Sequence, residues 1–359
     1  MLYYHIQKLS PEGKPAKEPV MLKFLSTSAV VSLMPLMLQA AELRIVTDLP
    51  PVHALVSLVA GERAEPVLLM DEAGDGHNFA LRPSQASALA RADLVIWTGP
   101  DMAPWMARAL EGGGPSALPL LQAPGTRLRA WAEAAGGHGH DHDHEYHDHG
   151  DHDHAGHDHD AHGHEGHDHE ARDHDNHHDH EGHDHAHGAN DPHAWLEPAN
   201  ALYWLTLIAR HLSEADPDHA GDYEANAKAA AASLRALDGE LRDLLAPVKD
   251  CPFVLGHDAY GYFTEHYGLH AAGTVAGGDA AGPGAQHLSA LRARLSEEKV
   301  VCAFPEVGQS ERLLDTVLEG SSVKKGAALD PSGSSLPKGP GLYAALMRDL
   351  AVKISDCLK

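Results

Sequence analysis

Downstream of residue 42 the apolar positions alternate between two rhythms. Leu43 to Thr47, Pro66 to Met70 and Asp93 to Thr98 are short apolar runs that predict strands. Between them, helical spacing predicts Val52 to Ala60, closed by Gly61, then Ser84 to Arg91 with Ser84 as N-cap, and Pro104 to Leu110. Pro198 to Leu212 is helix-compatible, and Asp216-Pro217 interrupts it. His219 to Leu245 then reads as one long Ala-rich helix, with Leu234, Leu237, Leu241, Leu244 and Leu245 at three- and four-residue steps, ended by Pro247. The alternation resumes with strands at Pro252 to Gly256, Leu269 to Val275, Lys299 to Phe304 and Val323 to Leu329. Helices are expected at Ala259 to Tyr267, His287 to Glu297, Ser310 to Glu319 and Leu342 to Leu358.

Strand and helix in turn predict an α/β fold with helices on both faces of parallel sheets. The chain has 359 residues, too many for one ordinary core, and 43% of them are hydrophobic. The expected architecture is two similar lobes, each a mainly parallel four-stranded sheet, bridged by the long helix. The expected divisions are 1–41, 42–216, a bridging helix at 217–246, and 247–359. In such sheets ligands bind beyond the carboxyl ends of the strands.

The N-terminus changes the picture first. Lys23, the apolar stretch Phe24 to Leu38, and small Ala40 and Ala41 have the form of an export signal, too short for a comfortable membrane span. Cleavage after Ala40 or Ala41 would leave a periplasmic chain starting near Glu42. Met21 is a candidate start, with Met1 to Val20 an upstream extension. Three cysteines remain, Cys251, Cys302 and Cys357, with no CxxC pair.

A segment without apolar periodicity interrupts the first half. Residues 137–189 are dominated by His and Asp, and they hold about two thirds of the 31 histidines and most of the formal charge of −25. Such a segment cannot bury enough surface to order itself and is expected to be disordered without metal. No Lys/Arg stripe is present to neutralise phosphates, so nucleic acid is excluded as a partner. Imidazole suits zinc, copper and nickel. His138, His140, His142, His144, His147, His149, His152 and His154 begin a series of accessory weak metal sites.

Selectivity requires ligands held by folded elements. Outside the run, three histidines lie in loops after strand-like segments or between lobes: His77 in Gly-Asp-Gly-His-Asn-Phe, His193 in Asn-Asp-Pro-His-Ala-Trp-Leu, and His257 after Phe-Val-Leu-Gly. Asp330 follows the last expected strand in Ala-Leu-Asp-Pro-Ser-Gly, a context that also fits a turn residue. His53, His211, His219, His266, His270 and His287 sit on helices or in a strand without a matching partner.

The strings GDGHNFALRPS, NDPHAWLEPANA and GHDAYGYFTEHYGL, in this order, resemble the zinc- and manganese-specific solute-binding proteins of ABC transporters, and among these the periplasmic zinc receptors. The likeness runs from about Glu42 to the C-terminus, with the His/Asp run as an insertion. It implies two α/β lobes with metal in the cleft between them, and His219 to Leu245 as the rigid bridge. It implies ligands at His77, His193 and His257, with Asp330 or a water as the fourth. His at the third position favours zinc over manganese. Where some zinc members carry a ligating Glu before the first His, this chain has Gly76. Glu306 matches a further motif and is expected to serve loop structure. The resemblance also implies a disulfide between Cys302 and Cys357.

The expected activity is capture of Zn2+ and delivery to an importer. The implied partners are a membrane permease and its ATPase subunit, with a periplasmic zinc chaperone as a further candidate, and the receptor is expected to act as a monomer. A zinc hydrolase is disfavoured because no HExxH, general base or nucleophile stands in these motifs. A periplasmic zinc buffer, or a manganese or nickel receptor of the same fold, remain the alternatives.

Overall fold

The apolar runs at Ile45–Thr47, Leu94–Trp97 and Cys302–Phe304 form short strands buried along their whole length, as the inner strands of parallel sheets demand. In the computed structural model, which describes residues 43–71, 79–131, 190–277 and 283–359, β1 (Ile45–Thr47), β2 (Val67–Leu68), β3 (Leu94–Trp97) and β4 (Ser116–Pro119) make a sheet of order β2-β1-β3-β4 with every pair parallel. A second sheet, order β10-β9-β7-β8, is built from β7 (Phe253–His257), β8 (Ala271–Ala276), β9 (Cys302–Phe304) and β10 (Lys324–Lys325), again all parallel. The described elements belong to one unit, Glu42–Lys359. The expected export signal and the His/Asp run, His138 to His154 included, lie outside the described residues.

Helices α1 (Pro50–Ala60), α2 (Pro83–Ala90) and α3 (Pro104–Leu110) flank the first sheet. Each opens with Pro at its first turn, where the missing N–H costs nothing. That rule corrects one expectation. Ser84 is not the N-cap of α2; Arg82 is, because Pro83 is preorganised for the first helical position, and Gln85 Oε1 accepts the Arg82 N–H at 2.8 Å. After α4 (Pro198–Ala215), the long helix α5 runs from Ala220 to Leu245. It is followed by α6 (Gly261–Tyr267), α7 (Ala285–Glu297), α8 (Arg312–Leu318) and α9 (Leu342–Leu358).

One face of α5 is buried along its whole length, through Tyr223, Ala227, Ala230, Leu234, Leu237, Leu241 and Leu245. Each buried Leu contributes about 1.5–3 kcal/mol relative to exposure. Near its start α5 meets α1, with Asn226 Nδ2 donating to Val59 O at 3.1 Å. Near its end it meets α9, with Arg348 paired to Glu240 at 2.9 Å. A single apolar cluster therefore runs from Ile45 through α5 to Leu358 and serves both sheets.

His266, on α6, adds a polar tie. Its ring nitrogens stand 2.8 Å from Glu197, at the start of α4, and 2.7 Å from Asp238, on α5. Burial disfavours the imidazolium, but the bonds to these two carboxylates outweigh it and raise the pKa above the ordinary value. Cys302 and Cys357 are disulfide-bonded, joining α9 to β9 across 55 residues of sequence.

Two predictions follow from these ties. A group with a raised folded pKa stabilises fully below its unfolded pKa, here about 6.5, and loses that contribution as pH rises through the folded value. Urea unfolding of the metal-free protein should show stability falling from about pH 6.5 up to the raised folded value of His266 and levelling beyond it, and His266→Gln should remove that slope at a cost of about 1–2 kcal/mol at pH 6. Cys357→Ser should lower unfolding free energy by up to about 4 kcal/mol, the loop-closure contribution for a separation of 55 residues.

Candidate metal centre

The carboxyl end of the second sheet gathers an imidazole and two carboxylates, from the end of one strand and from two segments beside it. His257 is the last residue of β7. Glu306 follows β9, and a parallel bridge between Glu306 and Leu329 brings the next residue, Asp330, to the same edge. Opposite them, a two-stranded antiparallel ribbon pairs β5 (Arg129–Ala130) with β6 (Asn190–Asp191). His193 leaves this ribbon and enters a 3-10 turn, Ala194–Leu196, that leads into α4.

The two imidazoles meet. His193 and His257 have ring centroids 5.5 Å apart at an interplanar angle of 80°. Each is oriented by a carboxylate. Asp191 Oδ1 accepts from His193 Nδ1 at 2.8 Å and from its backbone N–H at 2.9 Å. His257 Nδ1 lies 3.3 Å from Glu306 Oε2, which also accepts the Tyr260 hydroxyl at 2.8 Å. A carboxylate on Nδ1 fixes the tautomer that carries its lone pair on Nε2, the usual arrangement behind a metal-ligating histidine. Two imidazoles bound through Nε2 to one tetrahedral ion at about 2.0–2.1 Å would have centroids about 5.2 Å apart. The observed spacing meets that requirement.

Glu306 thus does more than shape its loop: it contacts the imidazole of the second lobe, a part the sequence did not assign to it. Asp191 was missed altogether, although its place two residues before His193 was a legible signal for a ring-orienting carboxylate. Arg129 and Trp195 carried no such local signal.

Asp330 is buried at 1% exposure, and its carboxylate organises the loop that follows. It accepts from the backbone N–H groups of Ser334 (3.1 Å) and Ser335 (2.8 Å) and from the hydroxyls of Ser332, Ser334 and Ser335. Burial pushes its pKa up, but the serine donors, Ser335 foremost, bring it below the ordinary carboxylate value. The turn role of Asp330 is therefore directly visible. His77 lies outside the described residues. Among the described residues no group of three or more His, Cys, Asp or Glu side chains is placed to hold a metal ion; His193 and His257 form a pair.

Aromatic struts lock the two sides of the cleft together. Trp195 is fully buried, stacks edge-on to His193 at 5.2 Å, and donates Nε1–H to Pro331 O at 2.8 Å. The Tyr343 hydroxyl of α9 donates to Trp195 O at 2.8 Å. Burial raises the pKa of Asp258, beside His257, and Asp191 adds to the rise while Arg129 opposes it.

A family profile described as zinc-uptake complex component A, periplasmic, matches residues 45–357. A high-affinity zinc uptake system protein from Paracoccus denitrificans is 49% identical over 317 residues, covering 88% of this chain and 91% of its own length. Among solved structures, FpvC from Pseudomonas aeruginosa in complex with Mn2+ superposes with a TM-score of 0.66 at 21% identity, over 88% of this chain and 98% of that one. A Zn(II)-bound variant of AdcAII from Streptococcus pneumoniae gives 0.63 at 19% identity, over 87% and 98%. These last two likenesses show the fold. Among the described residues no helix is long and apolar enough to cross a membrane. By the extent of the profile match and the identity to its relative, the chain belongs to the zinc-uptake complex component A family of periplasmic proteins.

Proposed function

We propose that this protein is the periplasmic receptor that captures Zn2+ and hands it to an ABC-type importer, its permease and ATPase being the partners. The carrying observation is the His193–His257 pair, 5.5 Å apart and drawn from opposite sides of the cleft. Neutral imidazole prefers zinc to the harder manganese. The relative from Paracoccus denitrificans is named a high-affinity zinc uptake system protein, which supports the same cargo.

In this reading His77, His193 and His257 bind the ion, and the fourth position is filled by an oxygen from Asp330 or by water. Zinc accepts three imidazoles and one oxygen in a tetrahedron. Asp191 and Glu306 hold the rings and raise their basicity. Binding is capture, not catalysis. The histidines between His138 and His187 act as weaker accessory sites that raise the local zinc concentration. Export would depend on the N-terminal signal, cleaved near Ala40 or Ala41.

Competition titration with a zinc chelator tests the assignment. Deleting His138 to His187 should keep one tight site and remove several weak ones. His257→Ala should abolish the tight site, whereas Glu306→Gln should keep it with affinity lowered about 10–100-fold. Loss of tight binding on the deletion, with His257→Ala unaffected, would move the selective site out of the cleft.

A further inference from the structure

Arg129 occupies a position that ligand capture alone does not explain. It belongs to β5, the outgoing strand of the ribbon, and only 16% of its side chain is exposed. Three carboxylates surround its guanidinium. Nη1 is 3.2 Å from Asp191 Oδ2 and 4.0 Å from Asp258 Oδ1, and Nε donates to Glu265 Oε1 at 2.5 Å. Asp191 and Asp258 expose 0% and 9% of their side chains, so each is a buried charge that requires a partner. The backbone joins in: Arg129 N–H donates to Tyr262 OH at 2.8 Å, and that hydroxyl donates to Asp191 O at 2.9 Å.

These contacts form a relay. Asp191 gives one oxygen to His193 Nδ1 and the other to Arg129. Asp258 neighbours His257 in sequence, and Glu265 and Tyr262 sit on α6, the helix that follows His257. One guanidinium thus touches the carboxylate that orients the first imidazole and the helix that follows the second. Its seat depends on Gly261: a Cβ there would stand 2.2 Å from Arg129 Cζ, so residue 261 leaves space that the guanidinium fills.

We infer that Arg129 is a positioning residue that holds the His193 and His257 sides of the cleft in register and thereby sets how fast the ion leaves. The inference rests on zinc being the cargo of this pair. Opening the cleft separates β5 from α6, which requires breaking a charge-assisted contact to Glu265 and uncovering Asp191 and Asp258. With Arg129 in place the orienting carboxylate of His193 is fixed. Without it, Asp191 gains a second orientation and the ring follows.

The test measures zinc release from the full-length protein into excess chelator by stopped flow, with equilibrium zinc stoichiometry and thermal unfolding alongside. Arg129→Gln should speed release about tenfold at unchanged stoichiometry, the scale found for partners one shell beyond the ligands. Arg129→Lys, which keeps the charge but loses the fork, should fall between. Gly261→Ala is the second variant. It leaves Arg129 in the sequence yet displaces the guanidinium from its seat, so release should quicken, with some loss of thermal stability because Asp191 and Asp258 lose their partner. Unchanged release in either Arg129→Gln or Gly261→Ala overturns the inference, and a fall in melting temperature alone marks Arg129 as a purely structural tie. Absence of tight zinc binding in the unmodified protein would instead remove the cargo assignment, and the inference with it.

Discussion

The bond between a buried carboxylate and the Nδ1 of an imidazole is the constraint on which this site depends. Asp191 makes it to His193 and Glu306 approaches His257 in the same manner. An imidazole without such a partner rotates and chooses its own tautomer; with it, one nitrogen is aimed and its electron pair is available. The two carboxylates come from different parts of the chain, one from a ribbon and one from a sheet edge. Their mutual placement therefore depends on the scaffold that joins them. That scaffold is the shared core along α5, into which both sheets send apolar side chains.

The same scaffold restricts how the site can open. Trp195 is bonded to Pro331 on one side and to Tyr343 on the other, close behind His193. The His266 contacts to Glu197 and Asp238 bind α4, α5 and α6 at one point. A wide rotation of lobes about a flexible strap would break all of these together. Smaller movements of the His193 and His257 segments, against a frame that stays packed, are the motions this architecture accommodates at least cost.

Much of this was legible in the order of apolar and polar residues. The long helix declared itself through its leucine spacing, and the two parallel sheets through the alternation of runs. The His193 and His257 loops stood out because Asp-Pro-His and Gly-His-Asp follow or precede regular elements. Other features escaped for definable reasons. Proline at position 83 decided the start of α2 against the more conspicuous Ser84. Strand β4 contains Ser116 and Pro119 and shows no apolar run, and the expected strand from Val323 to Leu329 shrank to Lys324–Lys325 plus one bridge at Leu329. Two-residue strands such as β5 and β6 have no period to detect. The partnership of Arg129 with Glu265 spans 136 positions, and that of His257 with Glu306 spans 49. Such pairs are products of tertiary packing and leave no mark in local spacing.

The ribbon has a consequence for how such a chain can vary. Ala130 and Asn190 face each other across it, so whatever lies between them departs and returns at almost the same point. For a flexible loop in general, the closure entropy grows only with the logarithm of length, and each doubling adds about 0.6 kcal/mol. A change in the number of residues between Ala130 and Asn190 need not shift the register of the pair beneath. Histidines could therefore accumulate or be lost between these two residues over many generations while the geometry at His193 stayed constant.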